Sequence, residues 1–223
     1  MFKAIIIGGT GATGKQLLNQ LISDKNCELV TSIGRRPVLD GEKNDKLVDI
    51  VVESLFELVS TEKYWKDNDV FFNCIGTTRQ RAGGSKEFIN IEFGISNKAA
   101  KMAANAKIPH ASLISAKGAN HKIWAKDWIH PLLYMKTIGQ KEQTIISNFS
   151  FNSVSIFKPG MLIRLQGKQT RFEEFIELKG FGLRVDILAS AMIHDAERVK
   201  LGLVKESPQY FIGNNHIKSS LIL

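Results

Sequence analysis

The run Ala4-Ile5-Ile6-Ile7-Gly8-Gly9-Thr10-Gly11-Ala12-Thr13-Gly14 restricts this chain to few folds. Apolar residues running into a glycine cluster predict a short buried strand over 4–8. The helix-period run Lys15–Leu21 follows without a linker, so a helix is predicted near 14–23. A parallel strand turning sharply into a helix presents unpaired N–H groups and a partial positive charge at the helix start. Gly8 permits the tight turn, Gly11 leaves the main chain open to a pyrophosphate, and Gly14 lets the helix pack close to the sheet. The spacing G-x-x-G-x-x-G, with Gly9 as an extra, predicts dinucleotide binding. A glycine triplet alone also fits a plain strand–helix turn.

About 20 residues further on, such folds place the group that reads the adenosine ribose. Here the second predicted strand, 28–33, ends in Gly34-Arg35-Arg36-Pro37. An acidic residue would accept hydrogen bonds from a free 2′-hydroxyl and repel a phosphate. Two guanidinium groups do the reverse, because Arg can clamp a phosphate with paired N–H donors. By itself the pair also reads as solvated arginines at a strand end. At this distance from Gly14 it predicts NADP(H) rather than NAD(H).

Strand and helix signals alternate along the rest of the chain. Strands are expected at 47–52, 69–75, 110–115, 153–158 and 209–213, and helices near 54–66, 86–106, 134–148 and 186–199. The alternation predicts an α/β fold, a doubly wound parallel sheet of Rossmann type in one domain spanning 1–223. Segment 164–184 is the least regular and is expected to roof the substrate site. With 223 residues and 43% hydrophobic content, the chain can bury a substantial core.

Several classes are excluded by what is missing. No 18-residue apolar run predicts a transmembrane segment, and Met1-Phe2-Lys3 leads directly into the first strand, which leaves no room for a signal peptide. Two cysteines, Cys27 and Cys74, give no disulfide framework and suggest a reducing compartment, read as cytoplasmic. The histidines at 110, 121, 130, 194 and 216 show no metal-ligand spacing, so no metal site is expected. The formal charge of +8 raises nucleic acid as a ligand, but the basic residues are scattered and no block exceeds Arg35-Arg36. The excess reads as a solvated surface plus a phosphate site, with no nucleic-acid partner.

Four motifs in order carry a family resemblance: Gly8 to Gly14, Ile33-Gly34-Arg35-Arg36, Cys74-Ile75-Gly76-Thr77-Thr78-Arg79 followed by Ala82-Gly83, and Leu113-Ile114-Ser115-Ala116-Lys117-Gly118-Ala119. With Phe157-Lys158-Pro159-Gly160, they resemble the atypical short-chain dehydrogenases, in particular the Tat-interacting-protein type of oxidoreductase. The resemblance covers about residues 3–165 and thins after Arg171. It implies an NADP(H)-binding domain with a catalytic Tyr. By position, Gly8, Thr10, Gly11, Ala12, Thr13, Gly14, Arg35, Arg36, Ile75, Gly76 and Ile138 would line the cofactor, followed by Leu162 and Arg171. It also implies a small-molecule substrate and an association with protein partners.

The chemistry implied by the resemblance rests on a Tyr that moves the proton, a Lys one turn later and a Ser at the end of the fifth strand. The family pattern Y-x-x-x-K-G-x-x-E is matched here by Tyr134-Met135-Lys136-Thr137-Ile138-Gly139-Gln140-Lys141-Glu142, so the Lys position is Ile138. The family's Ser-Ser-Lys-Gly-Ala becomes Ser115-Ala116-Lys117-Gly118-Ala119, so the second Ser, the expected substrate contact, is Ala116. Tyr134 and Ser115 remain as candidate catalytic residues. Lys136 would lie about 200° around the helix from Tyr134, and Lys141 on the same face but roughly 10 Å further along the axis. Without a nearby cation a Tyr keeps a pKa of about 10, badly matched to a general base at neutral pH. Tyr134 therefore reads either as the proton donor or as a buried-edge tyrosine with one hydrogen bond.

Between Ala119 and Tyr134 the chain carries Trp124, Trp128, His121 and His130 on a loop longer than the family pattern. The loop reads either as an aromatic wall beside the active-site entrance or as packing that covers the core. These signals leave two functions. One is an NADP(H)-dependent oxidoreductase acting on a small carbonyl or alcohol with an incomplete catalytic set. The other is a non-catalytic NADP(H)-binding regulatory or protein-interaction protein.

Overall fold

Strand β1 (Phe2–Ile7) is hydrogen-bonded on both sides, to β2 (Cys27–Gly34) and to β4 (Val70–Asn73), and both pairings are parallel. The structure is a computed structural model that describes residues 1–39, 43–126, 128–165, 171–179 and 181–222; at 130, 171–173 and 178 it describes the backbone only. Strands β3 (Leu47–Val51), β5 (His110–Ile114), β6 (Ser153–Lys158) and β9 (Gln209–Ile212) complete a seven-stranded parallel sheet in the order β3-β2-β1-β4-β5-β6-β9. Strand order reverses between β1 and β4, so the loops leaving these two strands diverge and open a crevice at the carboxyl edge.

Alternation along β1 sends side chains to two separate cores. Ala4 and Ile6 pack with Leu17, Leu18 and Leu21 of α1 (Ala12–Ser23) and with Ala189 and Met192 of α7 (Val185–Lys200). Ile5 and Ile7 pack with Trp65, Phe71, Ala99 and Ala103 of the opposite layer and with Ile145 of α5 (His130–Asn148). Both faces of the sheet are therefore covered by helices within one domain, which is the doubly wound arrangement.

Three local readings change. The helix expected at 54–66 is a 3₁₀ helix, Leu58–Tyr64. Thr61 Oγ1 donates to the Leu58 carbonyl at 2.6 Å and Ser60 Oγ to that of Glu57 at 3.2 Å, three residues back, which favours the tighter winding. The single helix expected at 86–106 is α3 (Ser85–Ile89), a π-helical turn over Asn90–Ile95, and α4 (Ser96–Asn105). Segment 164–184, expected to be irregular, contains α6 (Arg171–Leu178) and part of a small sheet in which β7 (Met161–Ile163) pairs with β8 (Gly182–Arg184).

Candidate active site

A cavity of about 830 Å³ lies at this crevice. On one side it is lined by residues 8–13 of the glycine turn and by Gly34 at the end of β2. Gly8 has φ +87°, and a Cβ there would sit 2.6 Å from the Cys74 carbonyl oxygen, so only glycine fits. A Cβ on Gly14 would run into the Gly8 carbonyl. Gly14 is outside the cavity lining, and its role is the close packing of α1 on the turn. Gly11 differs from both. Its φ is −75°, and an added Cβ would meet the Gly8 oxygen at 3.2 Å and the Cys74 oxygen at 3.9 Å. The backbone angles at this position suit any residue, and an added Cβ would press on the Gly8 carbonyl, which would have to give by a few tenths of an ångström.

Gly11 is the N-cap of α1 and provides no side-chain cap, and the first turn carries no acid. The α1 N-terminus therefore keeps its unpaired N–H groups and its positive end toward the cavity. Arg35 and Arg36 line the same cavity at the end of β2, exposed, and neither takes part in an ion pair among the described residues. A helix start with no neutralising acid, beside two uncommitted guanidinium groups, fits a dinucleotide with an additional phosphate. Glu53 also lines this end.

The other side is lined from β4, β5 and α5. Ile75 and Gly76 follow β4, Ser115 follows β5, and Tyr134, Ile138 and Lys141 lie along one face of α5. Leu162 and Arg164 close the far end, while the Arg171 side chain lies outside the described residues. Thr10, Ala12 and Thr13 are on the glycine-turn wall as expected by position. Ala116 does not line the cavity; the hydroxyl that does is that of its neighbour Ser115.

Tyr134 is half-buried, its ring 5.8 Å from that of Phe88. Burial, and then the charge of Glu92, push its phenol up to about 12, and the positive charge of Arg164 only partly offsets them. Ile138, where the resemblance places an ammonium, is buried. Ser115 Oγ donates to Glu142 Oε1, and the other oxygen of that carboxylate accepts from Lys158 Nζ at 2.7 Å. Lys158 also donates to the Ala119 carbonyl at 3.1 Å. The proton of Ser115 is thus directed at Glu142, and its oxygen is left to accept.

Two residues that sequence reasoning did not assign to the site stand opposite each other in its wall. Glu92, in the π-helical turn, accepts the Thr77 N–H at Oε1 at 2.6 Å. Lys141 donates to the Ile75 carbonyl at 2.9 Å and lies 3.5 Å from Glu92 Oε2. Both side chains are almost fully buried. Lys136 is absent from the cavity lining. Trp124 and Trp128 are 63% and 71% exposed and line no part of the cavity, so neither indole covers the core or forms a wall of the site. The thiol of Cys74, on the cavity wall, is pushed up to about 12 by burial and is inert at neutral pH.

No family model matches the chain. The chain is 32% identical over 162 residues to the protein FMP52, mitochondrial, of Meyerozyma guilliermondii, covering 72% of this chain and 65% of that protein. Its match thus spans about two thirds of the length of this yeast relative. It is 30% identical over 185 residues to the protein HTATIP2 of Rattus norvegicus, covering 83% of this chain and 72% of the rat protein. Among solved structures it resembles MoeE5 in complex with UDP-glucose and NAD, with a TM-score of 0.66 and 15% identity over 97% of this chain and 80% of that one. The yeast relative corrects one expectation. It is a mitochondrial protein, which overturns the cytoplasmic reading. Cysteine usage reports on redox conditions and not on which membrane encloses a protein.

Proposed function

We propose that this chain, which belongs to the HTATIP2 and FMP52 family of atypical short-chain dehydrogenases, binds NADP(H) in the 830 Å³ cavity and reduces a small carbonyl. The observation that carries the reading is the shared cavity: the open glycine turn, the two arginines and Tyr134 all face one space at the point where strand order reverses. The main chain at Gly11 and the start of α1 take the pyrophosphate, and Arg35 and Arg36 take the phosphate on the adenosine ribose. When bound, the nicotinamide supplies the hydride.

Tyr134 acts as the acid. With its phenol pushed up to about 12, it is protonated at neutral pH. It can donate to an oxygen that gains negative charge in the transition state, but it is a poor acceptor for the reverse reaction. Ser115, its proton held by Glu142, positions a donor such as the Tyr134 hydroxyl or a substrate hydroxyl instead of polarising a carbonyl. Leu162 and Arg164 border the substrate side of the cavity.

A second reading has its own observation. Ile138 is buried where an ammonium would lower the phenol of Tyr134, which suits a protein that binds NADP(H) without turnover and is read by a partner. Turnover of NADPH against a panel of aldehydes and ketones separates the two. The enzyme reading expects slow reduction that is lost in Tyr134→Phe, with NADPH affinity changed by no more than about twofold. Binding without any turnover establishes the second reading, and turnover that survives Tyr134→Phe removes Tyr134 from the chemistry.

A further inference from the structure

We propose that the substrate is a carbonyl compound bearing a carboxylate, and that Arg81 receives the carboxylate at the Tyr134 end of the cavity. The inference rests on the proposed carbonyl reduction and names its substrate class.

The chain leaving β4 passes along the cavity through Gly76, Thr77 and Thr78 into a single helical turn, α2 (Arg79–Ala82). Both ends of this turn are fixed. The Thr78 hydroxyl accepts the Arg81 N–H at 3.2 Å, and Gly83, at φ +88°, donates to the Arg79 carbonyl at 3.1 Å. No residue of α2 is buried, so the turn adds nothing to either core. What it offers is Arg81 and Ala82 to the cavity. Arg81 is exposed and takes part in no ion pair among the described residues. A guanidinium carried on a fixed turn and uncommitted to the protein can clamp a planar anion with paired N–H donors.

Packing says which end of the cavity this guanidinium serves. The turn packs against α3, and Phe88 of α3 lies 5.8 Å from the Tyr134 ring. Arg81 therefore stands across the switch point from Arg35 and Arg36, which follow β2. Asn90, exposed on the same wall, adds a side-chain amide. Arg164 lines the far end, near enough to Tyr134 for its charge to act on the phenol. Facing these two guanidinium groups is the carboxylate of Glu87, while the charge of Glu92 is met by Lys141 at 3.5 Å. The Tyr134 end thus holds a modest positive excess, which suits a singly charged carboxylate better than a doubly charged phosphate. Ile138 and Leu162 offer apolar contact to the uncharged part of the substrate.

The test titrates two probes into the full chain saturated with NADP⁺, which has no hydride to give, so binding is read without reduction. Para-carboxybenzaldehyde carries an aldehyde and a carboxylate; its methyl ester keeps the shape and loses the charge. The parent should bind the carboxylate at least about tenfold more tightly than the ester. Arg81→Gln should bring the two affinities together while NADP⁺ affinity stays within about twofold of the parent. A parent that binds neither probe or both equally, or a preference that survives Arg81→Gln, overturns the proposal and leaves cofactor binding standing. A matching loss of NADP⁺ affinity in Arg81→Gln assigns Arg81 to the cofactor and overturns it as well. If the parent does not bind NADP⁺, the cofactor reading falls, and the same titrations on the cofactor-free chain decide whether Arg81 holds a carboxylate. Consumption of NADPH with either aldehyde reports the reduction separately from the binding.

Discussion

On the β1–β2 side the cavity is lined by a contiguous glycine-rich turn, residues 8–13, and by Gly34, with two exposed arginines beside them. On the β4–β5 side the lining is assembled from separate segments: a π-helical turn, two strand ends and three positions of α5. Main-chain donors at a helix start bind any pyrophosphate, and they are fixed by a few contiguous glycines. A lining drawn from separate segments is specified residue by residue, and it changes when single residues change. On that side Ile138 is buried, Lys141 places a buried ammonium one position before Glu142, and Ser115 is committed to the Glu142 carboxylate.

The sharpest way to break this contrast is to put a side chain into the glycine turn. Gly11→Val should abolish NADPH binding, because the new atoms occupy the space left for the pyrophosphate. The fold should be kept with some loss of stability, since φ at Gly11 is −75° but the Gly8 carbonyl, 3.2 Å from an added Cβ, must give by a few tenths of an ångström. Calorimetric titration together with an unchanged far-UV spectrum checks both halves of that statement. NADPH binding at parental strength would place the phosphate elsewhere.

A glycine on the other side should behave in the opposite manner. Gly139 lies inside α5, where Ala is ordinarily better than Gly by about 1 kcal/mol. Here an added Cβ would run into the backbone of Asn120 and His121, and the Asn120 N–H donates to the Met135 carbonyl at 3.1 Å, so this strip of chain is fastened to the helix. Overpacking against main chain costs about 1–3 kcal/mol or more, which outweighs the gain in helix propensity. Gly139→Ala should therefore lower stability in denaturant titration. A more stable variant would show that residues 120–121 do not press on α5 as described.

Legibility in the sequence divides along the same line. The glycine turn, the Arg pair and the alternation of strands and helices are local signals, and they led to the parallel sheet and to the residues that line one side of the cavity. Glu92 was not legible, because a π-helical turn adds a residue to the helical period without any compositional mark and rotates the residues after it. Lys141 could be placed on the correct face by counting, but its length was measured toward Tyr134, whereas its partners are Ile75 and Glu92 from other segments. Ser115 was named from sequence and lines the cavity, but its bond to Glu142 joins residues 27 apart and had no local signal. The exposure of Trp124 and Trp128 had no local signal either, since an indole on a loop packs or projects according to what lies beneath it.

Side-by-side calorimetric titration of NADPH and NADH tests directly whether the dinucleotide carries an extra phosphate to Arg35 and Arg36. The parent should bind NADPH at least about tenfold more tightly than NADH, and Arg35→Ala with Arg36→Ala should bring the two affinities together by weakening NADPH alone. Equal affinities in the parent, or a preference that outlasts both substitutions, would contradict it.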